Sequence, residues 1–175
     1  YILAPDGGNR GVSEFCVMKH EAKAWSDSNG NNLVNSFELN GDGCFESACT
    51  TPNWGINTFS PASHEEGEPW RMLDIENARN ECQSLGDGYD LISNREWMVL
   101  AEDIENQASN WSSGTVGTGC IHRGNVGVAD ICGYDFNSID SGLEALRNPT
   151  AMHTLSNGNE IWDLSGNIGE WVSWG

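Results

Sequence analysis

Oxygen-bearing side chains gather at two places in this sequence where a hard cation could be held. Asp27-Ser-Asn29-Gly-Asn31 sets oxygen ligands at alternate positions around a glycine, as calcium loops do. No helices are expected to flank it, so a plain Asn/Gly turn explains the same residues. Asp130, Asp135 and Asp140 fall in one loop, where three carboxylates must either repel one another or share a cation. Other chemistries find little support. His20, His64, His122 and His153 are scattered without an HExxH pair, and GxGxxG, P-loop and GxSxG patterns are absent. Paired carboxylates could be chosen from any of 26 acids, so they carry no signal for glycoside hydrolysis. Trp25, Trp54, Trp70 and Trp111 stand in loop-like stretches, where an indole either plugs a satellite core or offers a stacking face to a sugar ring or a partner side chain. Asn110-Trp-Ser112 is a formal glycosylation sequon.

Cysteine usage bears on the compartment. Cys16, Cys44, Cys49, Cys82, Cys120 and Cys132 are even in number and form no CxxC, which disfavours thiolate metal sites and suits an oxidising setting. Cys44 with Cys49 and Cys120 with Cys132 read as local staples, which leaves Cys16 with Cys82 by parsimony. Sequence alone permits the other connectivities too. The 175 residues carry a formal charge of −18. That field repels nucleic acid and anionic lipid, and it suits either solubility in a salty medium or carboxylates neutralised by bound cations. No window approaches the 18 apolar residues of a membrane span. The chain opens Tyr-Ile-Leu-Ala without Met and closes on an aromatic run at Gly175, as expected of a mature or excised piece of a longer protein, secreted, periplasmic or on a cell surface.

The elements that must position these residues are few. Phe15–Lys19, Tyr89–Ile92 and Glu160–Leu164 read as short strands. A helix is expected over Ile75–Leu85, with Asp74 as N-cap, a stripe of Ile75, Ala78, Cys82 and Leu85, and Gly86 as the stop. A second helix starts at Asn94, where Ser93 and Glu96 make a capping box and Trp97, Leu100, Ala101 and Ile104 form the inner face. Residues 105–160 are a long Gly/Asn-rich loop region, too long for a simple connection. After it, Trp162, Trp171 and Trp174 are expected to pack together.

The run Ile161-Trp-Asp-Leu-Ser-Gly-Asn-Ile-Gly-Glu-Trp171 resembles the WDLxGNVWEW segment of the formylglycine-generating, sulfatase-modifying-factor family, a branch of the C-type-lectin-like folds. Phe15–Lys23, Pro69–Leu85 and Tyr89–Leu100 resemble upstream segments of that family in the same order, so the likeness covers most of residues 12–175. It implies one α+β domain over 1–175, with two helices against small antiparallel sheets and long ordered loops. It also implies calcium on Asn167 and Glu170, with backbone carbonyls near Ile168 and Gly169. Gly169 stands where the family usually has tryptophan. The cysteine pair that serves the oxidase members would follow Trp174, beyond this chain, and no organic cofactor is implied. The likeness is closest to non-catalytic bacterial or phage surface-binding members. The expectation is therefore an adhesive binding domain, stabilised by calcium and disulfides, for a glycan or cell-surface protein, with Trp25, Trp54 and Trp111 as contact residues. Two alternatives stand beside it: an oxidase whose catalytic segment lies elsewhere, and a structural cap or homo-oligomerising module of a surface fibre.

Overall fold

A computed structural model describes residues 1–25, 56, 59–65, 69–70, 73–124, 126, 130–133, 148–166 and 169–174. Expectations placed on Asp27, Asn29, Asn31, Cys44, Cys49, Trp54, Asp135, Asp140, Asn167 and Ile168 lie outside the described residues. The described architecture is mixed α+β, with two helices and three two-stranded antiparallel sheets. Strand β1 (Ile2–Leu3) pairs with β2 (Cys16–Val17), β3 (Ala22–Trp25) with β4 (Ser60–Ser63), and β5 (Met152–Thr154) with β6 (Glu160–Trp162).

Both helices begin where local chemistry says they should. Asp74 accepts a hydrogen bond from the Asn77 amide at 2.8 Å and opens α1 (Ile75–Ser84). At α2 (Asn94–Glu105), Glu96 N–H donates to Ser93 Oγ at 3.2 Å while Ser93 N–H donates to Glu96 Oε2 at 2.7 Å. The box satisfies two amides that the first helical turn leaves without partners. Val99, Leu100 and Ile104 are buried on α2, each burial stabilising by roughly 1.5–3 kcal/mol. Leu100 and Ile104 join Ala4, Leu155 and Ile161 in the core, flanked by Ile2, Phe15, Val17, Ile92, Ile121 and Leu164. Trp97 and Ala101, expected on the inner face, are only half-buried, and Val99 takes the place instead. A Cβ on Gly7 would collide with the Val99 side chain, so glycine is what lets the N-terminal loop lie directly on α2.

The strands are shorter than their sequence runs, for identifiable reasons. Only Cys16–Val17 of the run Phe15–Lys19 stays with β1, because the Lys19 carbonyl turns to accept from Trp162 N–H at 2.8 Å. Strand β6 stops at Trp162 because Asp163 takes φ 60°, a left-handed conformation that ends a β ladder. Residues 89–92 form no strand. Their partner is a single bridge of Ser93 to Ser173, with Ser173 N–H donating to the Ile92 carbonyl at 2.9 Å.

The long Gly/Asn-rich region is ordered where it is described, and Asn110 is the reason. Its side-chain amide donates to the carbonyls of Ile104 at 3.0 Å and Thr154 at 2.9 Å, while its Oδ1 accepts from Thr154 N–H at 2.8 Å. One buried side chain thus ties the end of α2 to β5. Beside it, Trp111 Nε1 donates to the Glu105 carbonyl at 2.8 Å, Asn106 Nδ2 to the Glu102 carbonyl at 2.8 Å, and Gln107 Nε2 to the Asp103 carbonyl at 3.4 Å. All four terminal carbonyls of α2 therefore have side-chain partners. The sequon's acceptor amide is committed within the fold, and the Trp111 indole N–H caps a helix.

Also buried is His153 in β5, whose Nε2 lies 2.8 Å from the His122 carbonyl. A carbonyl can only accept, so Nε2 carries the proton, and Nδ1 has no partner among the described residues. Burial pushes this imidazole below its ordinary 6.5, because a second N–H would have nothing to bond.

Two measurements test this frame. Asn110→Ala should destabilise the fold by about 2–4 kcal/mol, since one buried and two part-buried groups lose their partners, and Asn110→Asp should also destabilise because it removes both donors; denaturant titration reads both, and a loss under about 0.5 kcal/mol would refute the role. The folded-state depression of His153 means its stability contribution is complete above the unfolded pKa near 6.5 and is lost as pH falls from there toward the folded value. Melting temperature should therefore drop on acidification below that point. His153→Gln, which keeps a donor and cannot titrate, should flatten that part of the curve.

Candidate functional site

One large groove, of about 890 Å³, opens between α1, the start of β3, the 85–92 turn and the segment around 161–171. Its physical origin lies in α1. The stripe expected to be core (Ala78, Cys82 and Leu85) lines this groove instead, and the buried residue of the helix is Glu81. Facing it are Trp70, placed by its N–H to the Ala22 carbonyl at 2.7 Å, and Trp171, whose Nε1 donates to the Leu73 carbonyl at 2.8 Å. Trp162 forms part of the wall, its ring stacked with His20 at a centroid distance of 6.3 Å. Tyr1 and Tyr89 meet edge to face at 5.8 Å at the rim. Trp174, expected to pack with Trp162 and Trp171, is 83% exposed.

Carboxylates complete the lining: Glu21, Glu81, Asp87, Asp90, Glu96 and Glu170, with no Lys or Arg among the described residues. Glu21 and Glu81 have partners of their own, and two more are engaged. Arg79 grips Asp90 through both Nε and Nη2, at 2.8 and 2.7 Å, and holds its carboxyl below the usual range; Glu96 serves the capping box. Glu170 differs. The residue as a whole is exposed, yet its carboxyl is crowded by protein inside the groove. That crowding governs its ionisation and pushes it up to about 7, with the charge of buried Asp163 adding to the rise and one long hydrogen bond from Trp97 Nε1, at 3.4 Å, opposing it.

Of the expected cation ligands, Glu170 and Gly169 fall at the groove. Asp163 was not anticipated; its positive φ and complete burial mark it as a built position. Among the described residues, no three His, Cys, Asp or Glu side chains gather as a metal cage. Asp130 is occupied otherwise: Arg123 Nη2 binds Oδ2 at 2.5 Å, and the amides of Cys132 and Gly133 donate to Oδ1 at 2.8 and 2.9 Å. It shapes the loop closed by the Cys120–Cys132 disulfide. Trp25 packs against His64, with ring centroids 5.0 Å apart, away from the groove.

The third expected disulfide is not formed. Cys16 and Cys82 are free thiols, the first exposed and the second half-buried, and both line the groove. Chain parsimony paired them, but the wide groove lies between their elements. Burial pushes the Cys82 thiol up, and the charges of Asp90 and Glu81 push in the same direction. The residues missed by sequence reasoning (Glu81, Tyr89, Trp162 and Trp171) had one readable signal, an acid set beside the apolar stripe of α1.

No protein-family model, curated protein or solved structure matches this chain.

In the native protein, a thiol reagent should label Cys16 quickly and Cys82 at least about tenfold more slowly, because the thiolate is the reactive form and burial disfavours it. Peptide mapping after timed alkylation checks the order, and a protected Cys16–Cys82 pair in an unreduced sample would overturn it. Cys120→Ser together with Cys132→Ser should cost about 3 kcal/mol, the loop entropy for so short a closure, measured by denaturant unfolding.

Proposed function

We propose that this chain is a non-catalytic binding domain of the C-type-lectin-like, sulfatase-modifying-factor type, working outside the cytosol, and that it takes a glycan in the groove. The carrying observation is the lining itself: the indoles of Trp70 and Trp171 and the ring of Tyr89, interleaved with carboxylates. Flat aromatic faces cover the apolar C–H faces of sugar rings, and carboxylates accept from sugar hydroxyls. The two capped helices, the small antiparallel sheets and the ordered loops agree with the proposed fold type. Calcium would be held by Asn167 and Glu170 with the carbonyls of Ile168 and Gly169. The donor chemistry fits, since the charge of Asp163 adds to the cost of ionising the Glu170 carboxyl, and a divalent cation would relieve that repulsion.

A glycan array probed with folded protein, with and without EDTA, tests the reading. Binding is expected to at least one glycan class, to weaken about tenfold in Tyr89→Ala, and to fall on chelation together with the melting temperature, as linkage requires. A folded, calcium-loaded sample that retains no glycan would refute the binding role. An unchanged melt in EDTA would refute the calcium site alone.

A further inference from the structure

Resting on that reading, we infer that the groove is selective for a glycan bearing free amino groups, an oligomer of deacetylated aminosugars, over its neutral or N-acetylated counterpart. Charge complementarity carries the inference. The described lining holds six carboxylates and no Lys or Arg, Glu21, Glu81, Asp90 and Glu96 having partners of their own, and the chain carries −18 overall, so the field at the cleft favours a cation over a neutral ligand. Neutral sugars draw nothing from such a field; an ammonium does. Aromatic faces act in the same direction, since Trp and Tyr attract cations through their ring quadrupoles.

The lining also separates acids already used from acids still available. Asp90 is held by Arg79, and Glu96 by the helix cap. Asp87 is exposed at the rim with no hydrogen bond or ion pair among the described residues, whereas Glu170 is the carboxylate assigned above to the calcium. Asp87 is thus the lining acid that an amine of the oligomer would meet first. A polar donor suits a saccharide of either kind: Trp162 is 6% exposed, lines the groove, and its indole N–H has no partner among the described residues. That N–H is a donor that a sugar hydroxyl oxygen would satisfy. Size favours a short saccharide over a folded protein face, because about 890 Å³ falls within the roughly 300–1,000 Å³ of small-ligand clefts.

The experiment titrates the chain with a glucosamine tetramer, its N-acetylated form and a tetralysine peptide, following tryptophan fluorescence at low and at physiological salt. The amine-bearing tetramer should bind at least about tenfold more tightly than the acetylated one, with the advantage shrinking in salt and roughly threefold in Asp87→Asn. Equal or tighter binding of the acetylated tetramer would overturn the selectivity and leave the glycan reading standing. Tighter binding of tetralysine would overturn the sugar as the source of the amine. If the folded protein retained neither saccharide, both readings would fall.

Discussion

The end of α2 is the constraint on which the rest of this structure depends. A helix terminus exposes four carbonyls that its own backbone cannot satisfy, and in this protein the segment that follows folds back to bond them. Asn106, Gln107, Asn110 and Trp111 supply the missing donors in sequence order. Asn110 does more than cap. Its amide reads both the donor and the acceptor of Thr154, as a neighbouring strand would, and so holds β5 against the helix with no strand between them. β5 pairs with β6, and β6 delivers Trp162 and then Asp163 to their buried positions. The wall of the groove is thus set from a helix end some fifty residues earlier in the chain.

The opposite wall follows a different logic. α1 is the weaker helix by burial: its apolar stripe faces open space and its buried residue is an acid. Such a face is costly to leave wet unless something covers it, and the aromatic residues across the groove cover it in part while leaving the volume between them free. Among the acids there, burial and the charge of Asp163 push the Glu170 carboxyl up, and a cation bound beside it would relieve that cost. Ordinary core packing would have removed both the volume and the charge.

Features decided within a few residues were legible from the start. Asp74 and the Ser93–Glu96 box mark the helix starts because an N-cap closes over three residues. The two-helix α+β character and the Cys120–Cys132 staple were readable for the same local reason. At Trp111 and Asp130 the fold adds contacts that residue type does not show: a helix carbonyl for the indole N–H of the first, and an arginine with two backbone amides for the carboxylate of the second.

What the sequence determined by itself was the set of local elements and their caps, together with the excess of acid over base, because each depends on near neighbours or on composition alone. Only the tertiary structure decided that the stripe of α1 lines a groove, that Cys16 and Cys82 stay reduced across it, and that the strands end where Lys19 and Asp163 turn away. Those outcomes depend on which distant backbone group arrives to compete for a hydrogen bond or a face. A short apolar run or a lone asparagine does not encode its partner; the partner is fixed when buried polar groups across the whole chain must be satisfied together.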